Sequence, residues 1–105
     1  MATDCSIILT SAASDIMADA IAEHLLTAGL AACVQVLPMR SAYVWKGAIA
    51  RDDERLLLIK AKTADWPAVD AAIRRIHDYE IPEIVRIEMA DASRAYLDWI
   101  AASTR

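Results

Sequence analysis

The sequence contains, at residues 54–62, the stretch ERLLLIKAK, in which four large aliphatic residues follow one another directly. A short apolar run of this kind, bounded by charged residues, predicts a β-strand. Side chains alternate between the two faces of a strand, so Leu57 and Ile59 lie on one face. Leu56 and Leu58 then lie on the other. The stretch therefore predicts a strand that is apolar on both faces.

The other strands are predicted from extended segments of similar character. These segments are Cys5–Thr10, Ala32–Leu37, Ser41–Ile49 and Ile84–Met89. The segments Ala32–Leu37 and Ser41–Ile49 count as one strand that Pro38 interrupts, because proline cannot donate to a β-ladder. The charged residues of Arg51–Arg55 predict a turn that leads into the strand at Glu54–Lys62.

Helices are predicted from capping residues and from apolar residues at helical spacing. Ser14 caps the first helix, which runs to about Ala28 and stops at Gly29, where glycine allows the left-handed conformation. Its apolar face consists of Met17, Ile21, Leu25 and Ala28.

The second helix is capped by Asp65 or Thr63 and has Pro67 in its first turn. Its apolar stripe is formed by Trp66, Val69, Ile73 and Ile76. Ser93 caps a closing helix that carries Tyr96, Leu97 and Ile100.

The predicted order is β-α-β-β-α-β with an additional C-terminal helix, which indicates an α+β fold of the ferredoxin-like, split βαβ type. We expect residues 1–105 to form a single domain, because the chain is too short for two hydrophobic cores. In such a sandwich the helices cover one face of an antiparallel sheet, and the other face is usually polar.

Counting alternate residues along each strand predicts instead that both faces are apolar. One face carries Ile7, Leu9, Val34, Val36, Leu57, Ile59, Val85 and Ile87. The opposite face carries Ile8, Cys33, Leu37, Leu56, Leu58 and Ile84. Because the helices cover only one face, we expect other copies of the chain to cover the second.

The composition excludes several classes of protein. Hydrophobic residues make up 57% of the chain, and the formal net charge is -4. An acidic chain without a basic run is not expected to bind nucleic acid or an anionic membrane. The longest stretch without Asp, Glu, Lys or Arg, residues 24–39, is too short to span a bilayer. The first residues lack the pattern of a signal peptide, so a cytoplasmic location is predicted.

Catalytic motifs of the GxSxG, P-loop and HExxH types do not occur, which predicts that the protein is not an enzyme. Cys5 and Cys33 form neither a CxxC pair nor a zinc spacing. The acidic residues Asp52, Asp53 and Glu54 are interpreted as the solvated tip of a hairpin.

An imidazole, a phenol and three carboxylates lie together in residues 77–83, which read HDYEIPE. Two interpretations stay open for this segment. It is either a helix C-terminus followed by a rigid proline turn, or a site for a metal or a small ligand. Tyr43 and Trp45 share one face of an extended segment and either pack in the core or line a ligand cleft.

Taken together, five segments resemble the CutA family of divalent-cation tolerance proteins. They are residues 30–34 (LAACV), 43–47 (YVWKG), 56–60 (LLLIK), 77–84 (HDYEIPEI) and 96–99 (YLDW). The resemblance covers nearly the whole chain in order. Two positions depart from the family pattern: Asp78 replaces the proline of a His-Pro-Tyr-Glu motif, and Met39 stands where glycine or asparagine is common.

The resemblance implies a ferredoxin-like subunit, a tight homotrimer and an association with copper and other divalent cations. It also implies an architecture similar to that of the PII signalling trimers, which bind nucleotides in clefts between subunits. No cofactor is expected to be required for folding.

Two hypotheses for the function follow. In the first, the protein binds divalent metal ions, with Cys33 supplying a soft sulfur suited to copper and His77 an imidazole. In the second, it is a PII-like signalling or scaffold trimer that binds a small ligand in the cleft between subunits, where we expect Trp45, Tyr79, Glu80 and Glu83 to lie. An enzyme is the weakest alternative, because no activated nucleophile or acid–base pair can be named.

Overall fold

A mixed α+β fold makes up residues 3–105, the part of the chain that the computed structural model describes. Its elements are β1 (Cys5–Ala12), α1 (Asp15–Thr27), β2 (Cys33–Trp45), β3 (Ala48–Lys62), α2 (Trp66–Ile76), β4 (Ile84–Glu88) and α3 (Arg94–Ala102), with a 3-10 turn at Thr63–Asp65 before α2. The strands form one antiparallel sheet in the order β2-β3-β1-β4. The predicted order of the elements is confirmed.

The hairpin of β2 and β3 is longer than predicted. Pro38 does not interrupt β2 but pairs with Arg55 within it. Proline is tolerated there because β2 is an edge strand, whose outer amides need no partner in the sheet. The predicted turn at Arg51–Arg55 is also wrong. The chain reverses at Lys46 and Gly47, which both have positive φ values of 51° and 79°, as a two-residue hairpin turn requires.

Beyond the end of β1, the β2–β3 hairpin continues without a further neighbour. Ala12 pairs with Arg55, the last partner that β1 offers to β3. Residues 39–54 therefore project from the sheet as a two-stranded ribbon, which we call the hairpin arm. The acidic residues Asp52, Asp53 and Glu54 belong to this arm and not to a solvated tip, and Glu54 is buried.

The register corrects the predicted faces of β1 and β4. Ile8 lies between Ile59 and Arg86, and cross-strand partners share one face of a sheet. Ile8 and Ile84 therefore lie on the same face as Leu57 and Ile59, not opposite them. Pattern counting along single strands leaves the register free, and a slip of one residue exchanges the faces.

The first two helices cover this face and form the main core with it. The largest residues at its centre are fully buried: Ile8, Ile21, Leu25, Leu57, Ile59, Val69 and Ile73. Ser14 caps α1 as predicted, accepting a hydrogen bond from the amide of Met17. Neither Thr63 nor Asp65 caps α2 through its side chain. Instead, the Asp65 carboxylate pairs with Arg105.

The opposite face, which we call the open face, is covered only at one end. There α3, capped by Ser93, packs Ile100 against Cys5 and Met89, with Ile7 at the edge of this second cluster. The remainder of the open face carries Leu9, Leu37, Leu56, Leu58, Val85 and Ile87. All six are at least partly exposed. The second face is thus apolar as predicted, although half of its members differ.

We expect Thr10→Val to raise the free energy of unfolding by about 1 kcal/mol, because it removes a buried hydroxyl that lacks a partner. Thr10 is fully buried, and its Oγ1 forms no hydrogen bond within residues 3–105. Urea unfolding at a fixed protein concentration measures the change. Thr10→Ser, which keeps the hydroxyl and deletes a methyl group, should instead destabilise by about 1 kcal/mol. A loss of stability in Thr10→Val would contradict this account.

Candidate ligand cleft

A cleft with a volume of about 740 Å³ lies between the hairpin arm and residues 78–83, which follow α2. The four residues that were predicted for a cleft between subunits lie along this concavity of the single chain: Trp45, Tyr79, Glu80 and Glu83. Trp45 and Tyr43 reach it from β2 and are partly exposed. The structure thus brings the aromatic residues of β2 together with a loop that begins more than 30 positions later in the sequence.

The arm and the loop are joined by a hydrogen bond between Tyr79 and Glu54. The phenol of Tyr79 donates to Oε2 of Glu54 at 2.6 Å, and Glu54 is only 6% exposed. Burial, and then the hydrogen bond to the carboxylate, raise the pKa of Tyr79 well above its usual range. Glu54 was not predicted as a cleft residue. The available signal was its spacing of two and four from Leu56 and Leu58, which places it on the open face.

A second tyrosine–carboxylate pair lies further along the arm. The Tyr43 hydroxyl donates to Oδ2 of Asp52, and this hydrogen bond is the main cause of the raised pKa of Tyr43. Asp52 and Glu54 are alternate residues of β3, so both pairs lie on one face of the arm. Each phenol therefore stabilises a carboxylate by a charge-assisted hydrogen bond.

His77 attaches the loop to β1. Its side chain is fully buried. Nε2 lies 2.5 Å from the carbonyl oxygen of Ser11, and Nδ1 lies 3.2 Å from the amide nitrogen of Tyr79. A carbonyl accepts and an amide donates, so Nε2 donates to Ser11 and Nδ1 accepts from Tyr79. Both ring nitrogens are engaged, and a metal ion would have to displace one of these partners.

Cys33 lies far from His77 within one chain. It begins β2 opposite Lys60, whereas the Ser11 partner of His77 pairs with Leu56. Four residues along β3 and two strand spacings across the sheet separate these positions by roughly 17 Å. Cys33 is a free, half-buried thiol. Within residues 3–105, no cluster of three or more His, Cys, Asp or Glu side chains is arranged to hold a metal ion.

The second cysteine offers no better metal ligand. Cys5 is free and buried beneath α3, and burial, with Asp4 nearby, raises the pKa of its thiol. A protonated, enclosed thiol is a poor ligand, since the thiolate is the form that binds metals.

None of the helices in the described residues is long and apolar enough to cross a membrane.

We expect the stability that Tyr79 contributes to depend on pH. A phenol whose folded-state pKa is raised stabilises fully below its ordinary pKa of 10.0 and loses this contribution as the pH rises further. At pH 7, Tyr79→Phe should cost about 1.5–3 kcal/mol, typical of a hydrogen bond to a charged group. Thermal unfolding measured from neutral pH to above the ordinary pKa of tyrosine should show this difference shrink. Tyr96→Phe is the control, and a constant difference for Tyr79→Phe would contradict the assignment.

Known proteins share both the sequence and the fold. The divalent-cation tolerance protein CutA of Thermus thermophilus is 37% identical over 99 residues, which are 93% of this chain and 96% of that protein. A solved structure of the divalent cation tolerance protein Cut A1 from Thermus thermophilus has a TM-score of 0.92 at 36% identity, covering 96% of this chain and 99% of that one.

A third comparison comes from an archaeon. The structure of the periplasmic divalent cation tolerance protein CutA from Archaeoglobus fulgidus has a TM-score of 0.94 at 30% identity and covers 96% of this chain and 99% of that one. The family model described as CutA1 divalent ion tolerance protein matches residues 6–103. The chain therefore belongs to the CutA1 family of divalent ion tolerance proteins.

Proposed function

We propose that this divalent ion tolerance protein acts as a homotrimer that binds divalent cations, with copper as the first candidate, and that it catalyses no reaction. The observation that carries the trimer is the open face, and the number three comes from the resemblance to the CutA family. A ferredoxin-like subunit is part of the same proposal. Support for cation binding comes from the family and from the charge of the cleft, which is lined by four carboxylates and one arginine.

The open face supports assembly by its exposed aliphatic side chains. Leu37, Val85 and Ile87 are 43%, 44% and 45% exposed in the single chain. Each aliphatic side chain that becomes fully buried contributes roughly 1.5–3 kcal/mol. A contiguous apolar surface of this kind on one face of a sheet marks an interface with another protein surface. Identical subunits are the simplest partner for it.

Metal binding depends on this assembly. Within one subunit Cys33 and His77 are too far apart to share an ion, and both nitrogens of His77 already have partners. A trimer contains three copies of Cys33 and of His77. A metal ion that needs more than one of these donors must then be bound by donors from different subunits. Cys33 is the stronger candidate for Cu(I), because its thiol is partly accessible and sulfur is a soft ligand.

A second candidate function is a PII-like signalling or scaffold trimer that binds a small ligand. The cleft favours it, since its volume falls in the range of small-molecule sites and aromatic rings line it beside polar groups. The cleft is bounded on one side by the hairpin arm, which extends beyond the four-stranded part of the sheet and so can contact a neighbouring subunit. We propose that a neighbouring subunit completes this site.

A cytoplasmic location is part of the proposal. It fits the two free cysteines, because thiols persist in a reducing compartment. The Archaeoglobus fulgidus relative is described as periplasmic, so cell fractionation is the direct test.

Thermal shift of the metal-free protein separates the two functions. A ligand that binds the native state raises its stability by mass action. Cu(II) and Zn(II) should raise the melting temperature if the first function holds. Nucleotides or small carboxylates should raise it if the second holds.

We expect Leu58→Glu to abolish the trimer and to lower the melting temperature. Leu58 lies between Leu9 and Gln35 near the centre of the open face, and burial of three unpaired carboxylates in a dry interface is costly. Light scattering and thermal unfolding measure both effects. Ile16→Glu, at an exposed position in the first turn of α1, should leave assembly intact. A folded wild-type monomer at micromolar concentration would exclude the trimer.

We expect Cys33→Ser to weaken Cu(I) binding by about tenfold, the loss of roughly 1.4 kcal/mol of interaction free energy. His77→Ala should have a smaller effect, since its ring nitrogens are engaged in the chain itself. Competition titration of assembled protein measures both affinities. Cys5→Ser is the matched control, because Cys5 is buried. Equal affinities of wild type, Cys33→Ser and His77→Ala would remove both residues as ligands.

A further inference from the structure

The buried carboxylate of Glu54 has one oxygen that the protein does not use. Tyr79 donates to Oε2, and no group within residues 3–105 donates to Oε1. Glu54 is only 6% exposed, yet it lines the cleft and Oε1 is not among the fully enclosed unpaired atoms. A nearly buried carboxylate that lines the cleft thus has one acceptor oxygen without a partner in residues 3–105. A carboxylate oxygen of this kind is stabilised by a hydrogen-bond donor, and most strongly by a positively charged donor.

The aromatic residues beside Glu54 are suited to the same kind of ligand. Trp45 and Tyr43 project into the cleft with 38% and 40% of their surface exposed. The Lys46 ammonium already lies 5.7 Å from the centre of the Trp45 ring, so this ring accepts a cation in the folded chain. Aromatic faces attract organic cations and also bury an apolar body attached to them.

The remaining charge of the cleft has the same sign. Asp78, Glu80 and Glu83 line it together with Glu54, against Arg40 in the lining and Lys46 beside Trp45. These carboxylates do not form a metal site within one chain, since no three donors within residues 3–105 are suitably arranged. A metal ion requires several donor atoms at short range. An ammonium group needs only one or two acceptors and an aromatic face.

We propose that the cleft binds a small organic cation, namely a primary amine carrying an apolar or aromatic body. The ammonium group donates to Oε1 of Glu54, and the body packs against Trp45 and Tyr43. This inference rests on the second proposed function, the small-ligand trimer, and names the chemical class of its ligand. Tyr79 acts as a positioning residue, because its hydrogen bond to Oε2 holds the Glu54 carboxylate and leaves Oε1 for the ligand.

The test uses the assembled full-length protein and phenethylamine as the probe, with calorimetric titration at low ionic strength. 2-Phenylethanol is the matched neutral compound, and 3-phenylpropionate is the anionic one. We expect the amine to bind about tenfold more tightly than the alcohol, and the carboxylate not to bind. Equal affinity of amine and alcohol, or the absence of amine binding, overturns the proposal.

Two matched substitutions locate the site. Glu54→Gln keeps the shape and an acceptor for Tyr79 but removes the charge, so amine affinity should fall about tenfold. Asp53→Asn removes the neighbouring exposed charge, which lies on the other face of the arm, and should leave affinity unchanged. An unchanged affinity in Glu54→Gln overturns the assignment. If Glu54→Gln does not fold, Trp45→Leu takes its place, and wild-type affinity in that variant overturns the assignment.

The outcome also separates this inference from the function on which it rests. If nucleotides or carboxylates raise the melting temperature and amines do not, the small-ligand trimer stands and the organic-cation inference fails. If none of these compounds binds the folded assembly, both fail.

Discussion

Strand β3 is apolar on both faces, and within residues 3–105 two helices cover one face whereas only the short helix α3 lies on the other. Leu57 and Ile59 are fully buried beneath α1 and α2, whereas Leu56 and Leu58 face the side where α3 covers only one end. A strand of this kind stabilises the subunit and leaves apolar surface for contact with another copy. The proposed assembly therefore follows from the same residues that hold the subunit together.

The length of β3 also creates the cleft. β1 ends opposite Arg55, but β3 and β2 remain paired for the seven residues of β3 from Ala48 to Glu54. A two-stranded ribbon is marginal by itself and needs support from its surroundings. Part of that support comes from the loop after α2, through the hydrogen bond from Tyr79 to Glu54. The contact that fixes the arm thus also places an anion at the floor of the cleft.

The order of elements was predictable because local signals determine it. Ser14, Gly29 and Ser93 mark helix ends by backbone chemistry that depends on near neighbours alone. Register is a property of two strands together, so single-strand counting misplaced Ile8 and Ile84. The turn at Lys46–Gly47 was missed because the charged residues of Arg51–Arg55 were interpreted as the turn. A two-residue hairpin turn requires positive φ, which glycine adopts readily, so Gly47 was the better signal.

The cleft shows the same division between local and long-range information. Trp45, Tyr79, Glu80 and Glu83 could be selected from sequence because they combine aromatic and acidic groups beside strand ends. Glu54 was missed, because its spacing along β3 indicates the face on which it lies but not its hydrogen bond to Tyr79, 25 residues away. The same holds for His77, whose imidazole is engaged by Ser11, 66 residues away. A residue's chemistry suggests what it can bind, but its partners in the fold determine which of its atoms are free to do so. By this criterion Oε1 of Glu54 has no partner within residues 3–105, whereas both nitrogens of His77 already have one.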